Sequence, residues 1–338
     1  MSDRDLPLHV HVGMPKTATS TLQQLYFAEH PEIDYLALRR KGGRYGPESQ
    51  FGAFVRWLRE DPDLWTERRR YRSFLRNELC SGRPGTRCRL LSEERFTGHF
   101  GAGIPAKAEL MRDFFPEAHI IVTVRRPLDL LASNYAQHLR HPRPGAAPLP
   151  SFDRWVEETL AEPNDASSYA HTVRLYDTVR LFDRLFGREK VLVLVFEEFR
   201  DNPAAFLRQL AGWLSIDTGP FEQVLCSRHQ AVNPSPTRLQ LNLWRLRQRW
   251  VNRGTNSLGV TLTWAATVAA HVTWPAKAPP AADTRARVAQ FTGEQCARLS
   301  ADRGLDLWRY GYPGVPRSTT DRGDMAACRR LVTRGRHG

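Results

Sequence analysis

The sequence predicts an α/β fold built on a mainly parallel sheet, and two observations support this class. The runs His119–Val124 and Val191–Phe196 are almost continuously apolar or β-branched, as in strands that are covered on both faces. Segments with apolar residues at helical spacing lie between the strand-like runs, and alternation of strands with helices is typical of parallel sheets.

Each element follows from local signals. A first strand, Leu8–Val12, ends at Gly13 and Pro15, and Thr19–Glu29 has the apolar spacing of a helix. The later elements are predicted in chain order as a weak strand Ile33–Leu38, an arginine-rich helical region to Leu79, a strand Cys88–Ser92, a helix Ile104–Phe115, the strand His119–Val124, a helix from Pro127 to Leu139, a loop His141–Pro150, a helix from Phe152 to Leu160 capped by Ser151, a long helix Ser168–Phe186, the strand Val191–Phe196 and a helix from Pro203 to Leu214.

Composition indicates a folded globular protein. The 338 residues are 41% hydrophobic and 25% charged, which argues against a disordered, collagenous or coiled-coil chain. We expect one domain over residues 1–315 and a basic tail over residues 316–338, which has few apolar residues. The 49 Lys+Arg against 36 Asp+Glu give a net charge of +13, which points to nucleic acid, an anionic membrane surface, an acidic glycan or a phosphate-bearing cofactor as partner.

Cysteine usage and targeting signals predict a cytoplasmic protein. The five cysteines are odd in number and form no CxxC pair, so neither a disulfide framework nor a zinc site is indicated. The amino terminus has no apolar segment followed by a cleavage site. Residues 257–274 carry no formal charge but include four threonines and a histidine, which favours a buried or lid helix over a membrane span. Because arginines directly precede this stretch, peripheral contact with a membrane stays an open alternative.

The segment Gly13–Thr21, called the β1 loop below, has the setting of an anion site. It connects a strand to a helix, where backbone N–H groups and the helix dipole converge on negative charge. Lys16 is one of only five lysines in the chain, and four hydroxyl side chains surround it. The pattern G-x-x-x-x-G-K-[ST] of nucleotide-binding loops is not matched, which weakens a kinase. A hydroxyl-rich turn that only caps the helix is the structural alternative.

Proline-lysine-threonine followed by small hydroxylated residues resembles the 5′-phosphosulfate loop of the sulfotransferases that use 3′-phosphoadenosine 5′-phosphosulfate (PAPS). The resemblance implies a single P-loop-NTPase-like three-layer domain, with a central parallel sheet flanked by helices. Many family members have glycine at the position of Ala18, and we expect a negative φ for alanine there. The resemblance assigns donor binding to Pro15, Lys16, Thr17, Ala18, Thr19, Ser20 and Thr21.

A second motif, Arg125–Ser133, is called the β4 segment below and resembles the family's 3′-phosphate motif. Arg125 follows a strand and can fork onto a phosphate, and Ser133 lies about two helical turns further on, where its hydroxyl can donate to the same group. Taken alone, Arg125 could be a surface arginine beside a helix start. The two motifs in this order, each after a strand, form a specific pair.

A third segment, Ser92-Glu93-Glu94, follows the short strand between the two motifs. Transfer to a hydroxyl needs a general base, and bacterial and glycan-modifying family members are often similar to this sequence. Glu93 is the first candidate for the base, Glu94 the second and His99 a fallback. The structural alternative is that both carboxylates only stabilise a helix start.

Other positions extend the resemblance. Tyr169 and His171 lie where family members bring residues to the adenine or the acceptor, although Tyr169 could equally be a core residue. The segment around Glu197 resembles the family's acidic strand end, to which we assign a structural role. Arg228, in a stretch that differs from the Arg-Lys-Gly loop of the cytosolic animal enzymes, is expected to close over the nucleotide. Residues 235–300 would form a helical lid on the acceptor side.

The predicted reaction is transfer of a sulfuryl group from PAPS to a hydroxyl, with no metal ion. A carbohydrate or glycolipid acceptor is preferred because of the glutamate base and the richness in arginine. The alternatives are a small-molecule kinase and, from another class, a basic nucleic-acid-binding protein, for which no binding motif stands out.

Overall fold

A computed structural model describes residues 6–36, 45–46, 48–60, 65–78, 83–98, 103–141, 148–161, 169–218, 241–246 and 280–317. Its centre is a five-stranded sheet in which every strand is parallel to its neighbours, as the sequence predicts. The spatial order is β2-β3-β1-β4-β5. The strands are β1 Leu8–His11, β2 Ile33–Tyr35, β3 Cys88–Ser92, β4 His119–Val124 and β5 Val191–Val195.

Helices cover both faces of the sheet and form the outer layers. They are α1 Thr19–Leu22, α2 Gln50–Glu60, α3 Trp65–Glu78, α4 Ile104–Phe114, α5 Pro127–Arg140, α6 Phe152–Ala161, α7 Leu175–Phe186, α8 Phe196–Asp201, α9 Pro203–Leu214 and α10 Ala282–Arg303; residues 241–246 are also helical. Short 3-10 turns occupy Glu94–Phe96, Tyr169–Val173, Arg188–Lys190 and Trp308–Tyr310.

Strand periodicity divides the core into two halves. Ile120, Val122 and Val124 of β4 point into one cluster, which α2, α4, α5, α7 and α10 complete. Ile121, between them, belongs to a second cluster on the opposite face, formed mainly with α1 and α9. Because side chains alternate along a strand, a run that is apolar at every position needs helices on both faces. The three-layer prediction is confirmed.

Two helix predictions differ from the structure. The helix predicted over Thr19–Glu29 is α-helical only to Leu22 and continues as a π-helical turn, Gln23–Phe27. The long helix predicted over Ser168–Phe186 is broken at Arg174, where ψ is 66°, so that a 3-10 turn precedes α7. In that turn the Thr172 hydroxyl donates to the Tyr169 carbonyl oxygen at 2.7 Å, an alternative to helical backbone pairing that periodicity does not reveal.

The last helix is tied to the body of the domain by charged side chains. Asp153 of α6 accepts from the Ala281 N–H at 3.2 Å and from the Thr284 hydroxyl, at the amino-terminal end of α10. At the other end, Arg303 pairs with the buried Asp183 of α7. No helix within the described ranges has the length and apolarity needed to cross a membrane. Residues 247–279 and 318–338, with most of the predicted lid, the 257–274 stretch and the tail, lie outside the described residues.

Candidate active site

Three strand ends meet at one edge of the sheet and create the crevice in which the candidate residues lie. The order β2-β3-β1-β4-β5 places the carboxyl end of β1 between those of β3 and β4. The chain moves from β1 toward one side of the sheet and crosses to the other side at β4. In open parallel sheets, ligands bind outside the carboxyl ends of the strands at such a switch point.

The β1 loop has an unusual backbone. Gly13, Lys16 and Ala18 have φ values of +46°, +71° and +61°. The expected negative φ for Ala18 is therefore wrong, because Ala18 is the last residue before α1 and adopts the left-handed conformation there. Left-handed and right-handed residues in succession direct backbone N–H groups toward a common anion site, at a cost of about 1–2 kcal/mol for each non-glycine residue.

Neutral hydrogen bonds hold this strained loop in place. The Thr17 hydroxyl donates to the Met14 carbonyl oxygen at 2.6 Å, and the Met14 N–H donates to the Thr123 carbonyl oxygen of β4 at 3.2 Å. From the β3 side, the buried Thr97 hydroxyl donates to the carbonyl oxygen of Gly13. These three hydrogen bonds attach the loop to both neighbouring strand ends through uncharged groups.

Lys16 and Glu94 face the same space. Partial burial lowers the pKa of the Lys16 ammonium, and the nearby Glu94 carboxylate opposes that shift while Arg125 and Arg140 add to it. Burial likewise raises the pKa of Glu94, against the effects of Lys16 and the Thr19 hydroxyl. The pair brings a cation of the β1 loop and a carboxylate from the β3 end together in a partly dehydrated site.

The two adjacent glutamates have different surroundings. Oε1 of Glu93 accepts from the Arg95 N–H at 3.1 Å and caps the 3-10 turn that begins at Glu94. The Glu93 N–H in turn donates to the His11 carbonyl oxygen of β1 at 3.1 Å. Glu93 thus has the helix-start role named as the structural alternative, whereas Glu94 is directed at the β1 loop.

A lysine of α4 that the sequence analysis missed stabilises this turn through hydrogen bonds. Lys107 of α4 is fully buried, and its ammonium donates to the carbonyl oxygens of Arg95 and Gly98 at 3.0 and 3.1 Å. A lysine inside an apolar helix stripe is the signal that could have identified it, since a buried ammonium requires acceptors.

Arg125 joins the β4 end to the β1 loop. The residue is 8% exposed, and its guanidinium donates from Nη1 to the Lys16 carbonyl oxygen at 2.6 Å and lies 4.5 Å from the centroid of the Phe196 ring. Within the described part of the chain, its Nε has no hydrogen-bond partner and it forms no ion pair with a carboxylate. Burial lowers its pKa, against the opposing effects of Asp129 and Glu197. An incompletely paired buried cation fits an anionic ligand.

A charged network fixes the start of α5 behind Arg125. Arg126 forms an ion pair with Asp129 at 2.7 Å, and its N–H donates to Oε1 of the fully buried Glu197 at 3.0 Å. The Tyr312 hydroxyl donates to Oε2 of the same carboxylate at 2.8 Å, and the Tyr310 carbonyl oxygen accepts from Arg126. Glu197 therefore has the structural role expected of it, and it also binds the carboxyl-terminal end of the described chain.

The remaining predicted site residues differ in their burial and in their place in the fold. Ser133 is half-buried on α5, one helical turn after Asp129, and Pro15 and Ser20 are partly buried in the β1 loop. Tyr169 is a core residue, 8% exposed, whose hydroxyl bonds to His138. His171 is half-buried in the 3-10 turn before α7. Arg228 and His99 lie outside the described residues.

One family model and several solved structures match parts of this chain. Residues 105–220, from α4 to the end of α9, match the sequence model of the sulfotransferase family. The fold is similar to the crystal structure of a sulfotransferase from Alicyclobacillus acidocaldarius, with a TM-score of 0.52 and 18% identity over 90% of this chain and 99% of that one. The chain also aligns with mouse sulfotransferase SULT7A1 complexed with PAP, with a TM-score of 0.41 and 16% identity over 69% and 71% of the two chains. No curated protein matches the sequence.

Proposed function

We propose that this chain, whose residues 105–220 match the sulfotransferase family model, transfers the sulfuryl group of PAPS to the hydroxyl of an acceptor, with Glu94 as the general base. The observation that carries this proposal is the buried Arg125 guanidinium, which is bonded to the carbonyl oxygen of Lys16 but forms no ion pair with a carboxylate of the described chain. Such a cation beside a loop of converging N–H groups supports a ligand with two separate phosphate groups.

The residues present fit PAPS in both its anionic parts. The N–H groups of the β1 loop would hold the 5′-phosphosulfate, and Arg125 with Ser133 would hold the 3′-phosphate. Both motifs start at adjacent strand ends, β1 and β4, which pair in register from His9 opposite His119 to His11 opposite Ile121. When bound, PAPS supplies an activated sulfuryl group whose leaving group is a phosphate.

Glu94 is the carboxylate that its position favours as base. In the transfer, the acceptor oxygen forms a bond to sulfur, the bond from sulfur to the bridging phosphate oxygen breaks, and the hydroxyl proton passes to Glu94. Lys16 would stabilise the negative charge that builds on the departing oxygen. Burial raises the pKa of Glu94 and so makes it a better proton acceptor, while Lys16 limits that rise and keeps the carboxylate available in its ionised form.

We propose a carbohydrate or glycolipid as acceptor. Two features favour an acceptor that carries negative charge. The first is the net charge of +13, and the second is Arg140, an exposed residue at the end of α5 that is close enough to Lys16 to lower its pKa. An anionic glycan would be attracted to such a surface, and its hydroxyl would reach Glu94 from the open side of the crevice.

Ligand binding tests the donor assignment. We expect adenosine 3′,5′-bisphosphate, the product that remains after transfer, to raise the melting temperature of the full chain, whereas ATP with Mg²⁺ does not. Arg125→Gln should abolish that rise. Arg188→Gln removes one positive charge just before the amino-terminal end of β5, at the ends of the strands that face away from the candidate site. This variant should retain the rise in melting temperature. Stabilisation by ATP with Mg²⁺ alone would favour a kinase, and salt-sensitive binding to DNA without a response to the bisphosphate would favour a nucleic-acid-binding protein.

A matched pair of variants tests the base. Glu94→Gln removes the carboxylate that faces Lys16, and we expect kcat to fall by about 10²- to 10⁴-fold. Glu93→Gln keeps an amide oxygen that can still accept from the Arg95 N–H, so kcat should stay within a few-fold of wild type. The reverse result would identify Glu93 as the base.

The acceptor can be identified directly. An extract of the host cell is incubated with the full chain and PAPS labelled in its sulfuryl group, and the labelled products are separated by class. Label in glycans or glycolipids, and its absence with Glu94→Gln, is the expected outcome. Label confined to small aromatic alcohols would overturn the acceptor assignment while leaving the sulfuryl transfer intact.

A further inference from the structure

We infer that His11 is a positioning residue for sulfuryl transfer, whose ring fixes the β3 and β4 strand ends on either side of β1 so that Glu94 and Arg125 face the β1 loop. The inference rests on the proposed function. His11 is the last residue of β1 and is fully buried, so it does not itself touch a ligand in the crevice.

The ring of His11 connects the two neighbouring strands through their hydroxyl side chains. Its Nδ1 lies 2.8 Å from Oγ of Ser92, and its Nε2 lies 3.2 Å from Oγ1 of Thr123. Ser92 ends β3 and precedes the turn that carries Glu94, whereas Thr123 lies two residues before Arg125 on β4. One side chain thus contacts the strands that deliver the proposed base and the proposed 3′-phosphate ligand.

The same ring supports the β1 loop. A Cβ on Gly13 would lie 3.3 Å from the Cε1 and Nε2 atoms of His11, so the loop crosses directly over the ring. On the other side of Ser92, Nε2 of Gln23 donates to both its carbonyl oxygen and its hydroxyl at 3.1 Å. The network therefore extends from the strand ends to the helical turn that follows the loop.

Its surroundings keep the imidazole uncharged. Burial lowers the pKa of His11 to about 4, and its ring neighbours are the edge of Phe27 and the two hydroxyls. A neutral imidazole offers one donor and one acceptor, and hydroxyls can supply the complement to each. The strand ends are thereby joined without adding charge beneath the proposed phosphate site.

Two conservative variants separate the two contacts. The side-chain amide of His11→Asn occupies the place of Nδ1 and can keep the contact with Ser92, whereas that of His11→Gln reaches the place of Nε2 and can keep the contact with Thr123. His11→Ala keeps neither. His9→Gln is the matched control, because His9 is also buried on β1, two residues earlier, where it stacks on His119 at 5.0 Å.

We measure kcat, its pH profile and the Kd for adenosine 3′,5′-bisphosphate, well below each melting temperature. His11→Ala should lower kcat by about 10- to 100-fold, the effect of a small misplacement, and weaken bisphosphate binding. His11→Asn should restore kcat and the base-dependent limb of the pH profile more than it restores binding, and His11→Gln should restore binding more than kcat. His9→Gln should lower only the melting temperature.

Three outcomes would overturn the inference: wild-type kcat and Kd in both His11→Asn and His11→Gln, an unchanged ratio of kcat loss to binding loss in these two variants, or equal losses in His9→Gln. Because Asn and Gln each keep one contact, the test stands even if His11→Ala does not fold. Failure of the proposed function would be distinct, since the wild-type protein itself would then not bind the bisphosphate.

Discussion

The β1 loop and the β4 segment are proposed to bind two phosphate groups of one donor, yet the chain stabilises them by different means. Within the described residues, three non-glycine residues have a positive φ, and two of them, Lys16 and Ala18, lie in the β1 loop. Hydroxyls hold that loop, the His11 ring lies against Gly13, and one charged group, the Arg125 guanidinium, donates to the carbonyl oxygen of Lys16. The β4 segment has an ordinary helical backbone from Pro127 onward and is held by the Arg126–Asp129 ion pair and the buried Glu197.

The difference follows from what each segment offers the ligand. Backbone N–H groups can converge on an anion only if the chain adopts left-handed conformations, so the β1 loop is strained where it would bind. The β4 segment would bind through side chains, whose position depends on how firmly the start of α5 is held. We therefore expect four changes to affect the two segments unequally.

The largest effect should come from the cation of the β1 loop. Lys16→Ala removes a preorganised charge at the proposed leaving oxygen, and we expect kcat to fall by about 100- to 1000-fold with the melting temperature near that of wild type. Steady-state kinetics with saturating donor and circular dichroism measure the two quantities. Arg126→Ala in the β4 segment should instead lower the melting temperature and change kcat less. Full activity in Lys16→Ala would remove the lysine from the mechanism.

Acid should destabilise the two buried histidines of β1, of which His11 lies against the β1 loop. Burial lowers the pKa of His9 to about 3 and that of His11 to about 4, below the ordinary value of 6.5. The unfolded chain therefore binds more protons, and the free energy of unfolding should fall as the pH drops from about 6.5 to 4, by roughly 3 kcal/mol for each histidine at pH 4.

Melting temperatures between pH 7 and 4.5 measure this loss, with His9→Gln as the comparison. The variant lacks one buried imidazole, so its curve should be shallower than that of wild type, although it starts lower. Parallel curves would show that these histidines do not dominate the acid response.

The fold could be predicted where burial on both faces leaves a local signature. The continuous apolar runs of β4 and β5 were located to within one residue, and the parallel arrangement follows from them. The break before α7 could not be predicted, because it accompanies a bond between the Tyr169 hydroxyl and His138, 31 residues earlier in the chain. Contacts distant in sequence leave no periodic pattern.

In the candidate site, too, local motifs could be predicted from the sequence, whereas contacts between distant residues could not. Local motifs were enough to propose Lys16 and Arg125 as ligands, since each follows a strand directly. The choice between Glu93 and Glu94 depends on which carboxylate caps the turn at Arg95, and that requires the register of β1 against β3. The supporting residue His11 could not be predicted from the sequence, because it lies within the predicted strand Leu8–Val12 and belongs to no motif.

We expect an effect of intermediate size on the melting temperature when the Glu197 carboxylate, which supports the β4 segment, is changed. The Glu197 carboxylate accepts from the Arg126 N–H and the Tyr312 hydroxyl, and Glu197→Gln would turn an NH₂ group toward one of these donors. An unsatisfied buried donor costs about 1–3 kcal/mol, so the melting temperature should fall by several degrees. The neighbouring Glu198→Gln, at a half-buried position, should change it little. Equal behaviour of the two variants would contradict the charged support proposed for this segment.

The smallest effect isolates the strain of the β1 loop. Ala18 has a φ of +61°, a conformation that costs alanine about 1–2 kcal/mol but costs glycine nothing. Ala18→Gly relieves that cost, while the greater freedom of glycine in the unfolded chain offsets about 0.4–1 kcal/mol of the gain. The net expectation is a stabilisation of about 0.5–1 kcal/mol, measured by chemical denaturation. Ala28→Gly, at a φ of −74° just after the π-helical turn, is the matched control and should destabilise, since only the entropic loss applies there. If both variants lost stability, the left-handed backbone at Ala18 would carry no strain, and the contrast between the two segments would rest on their side chains alone.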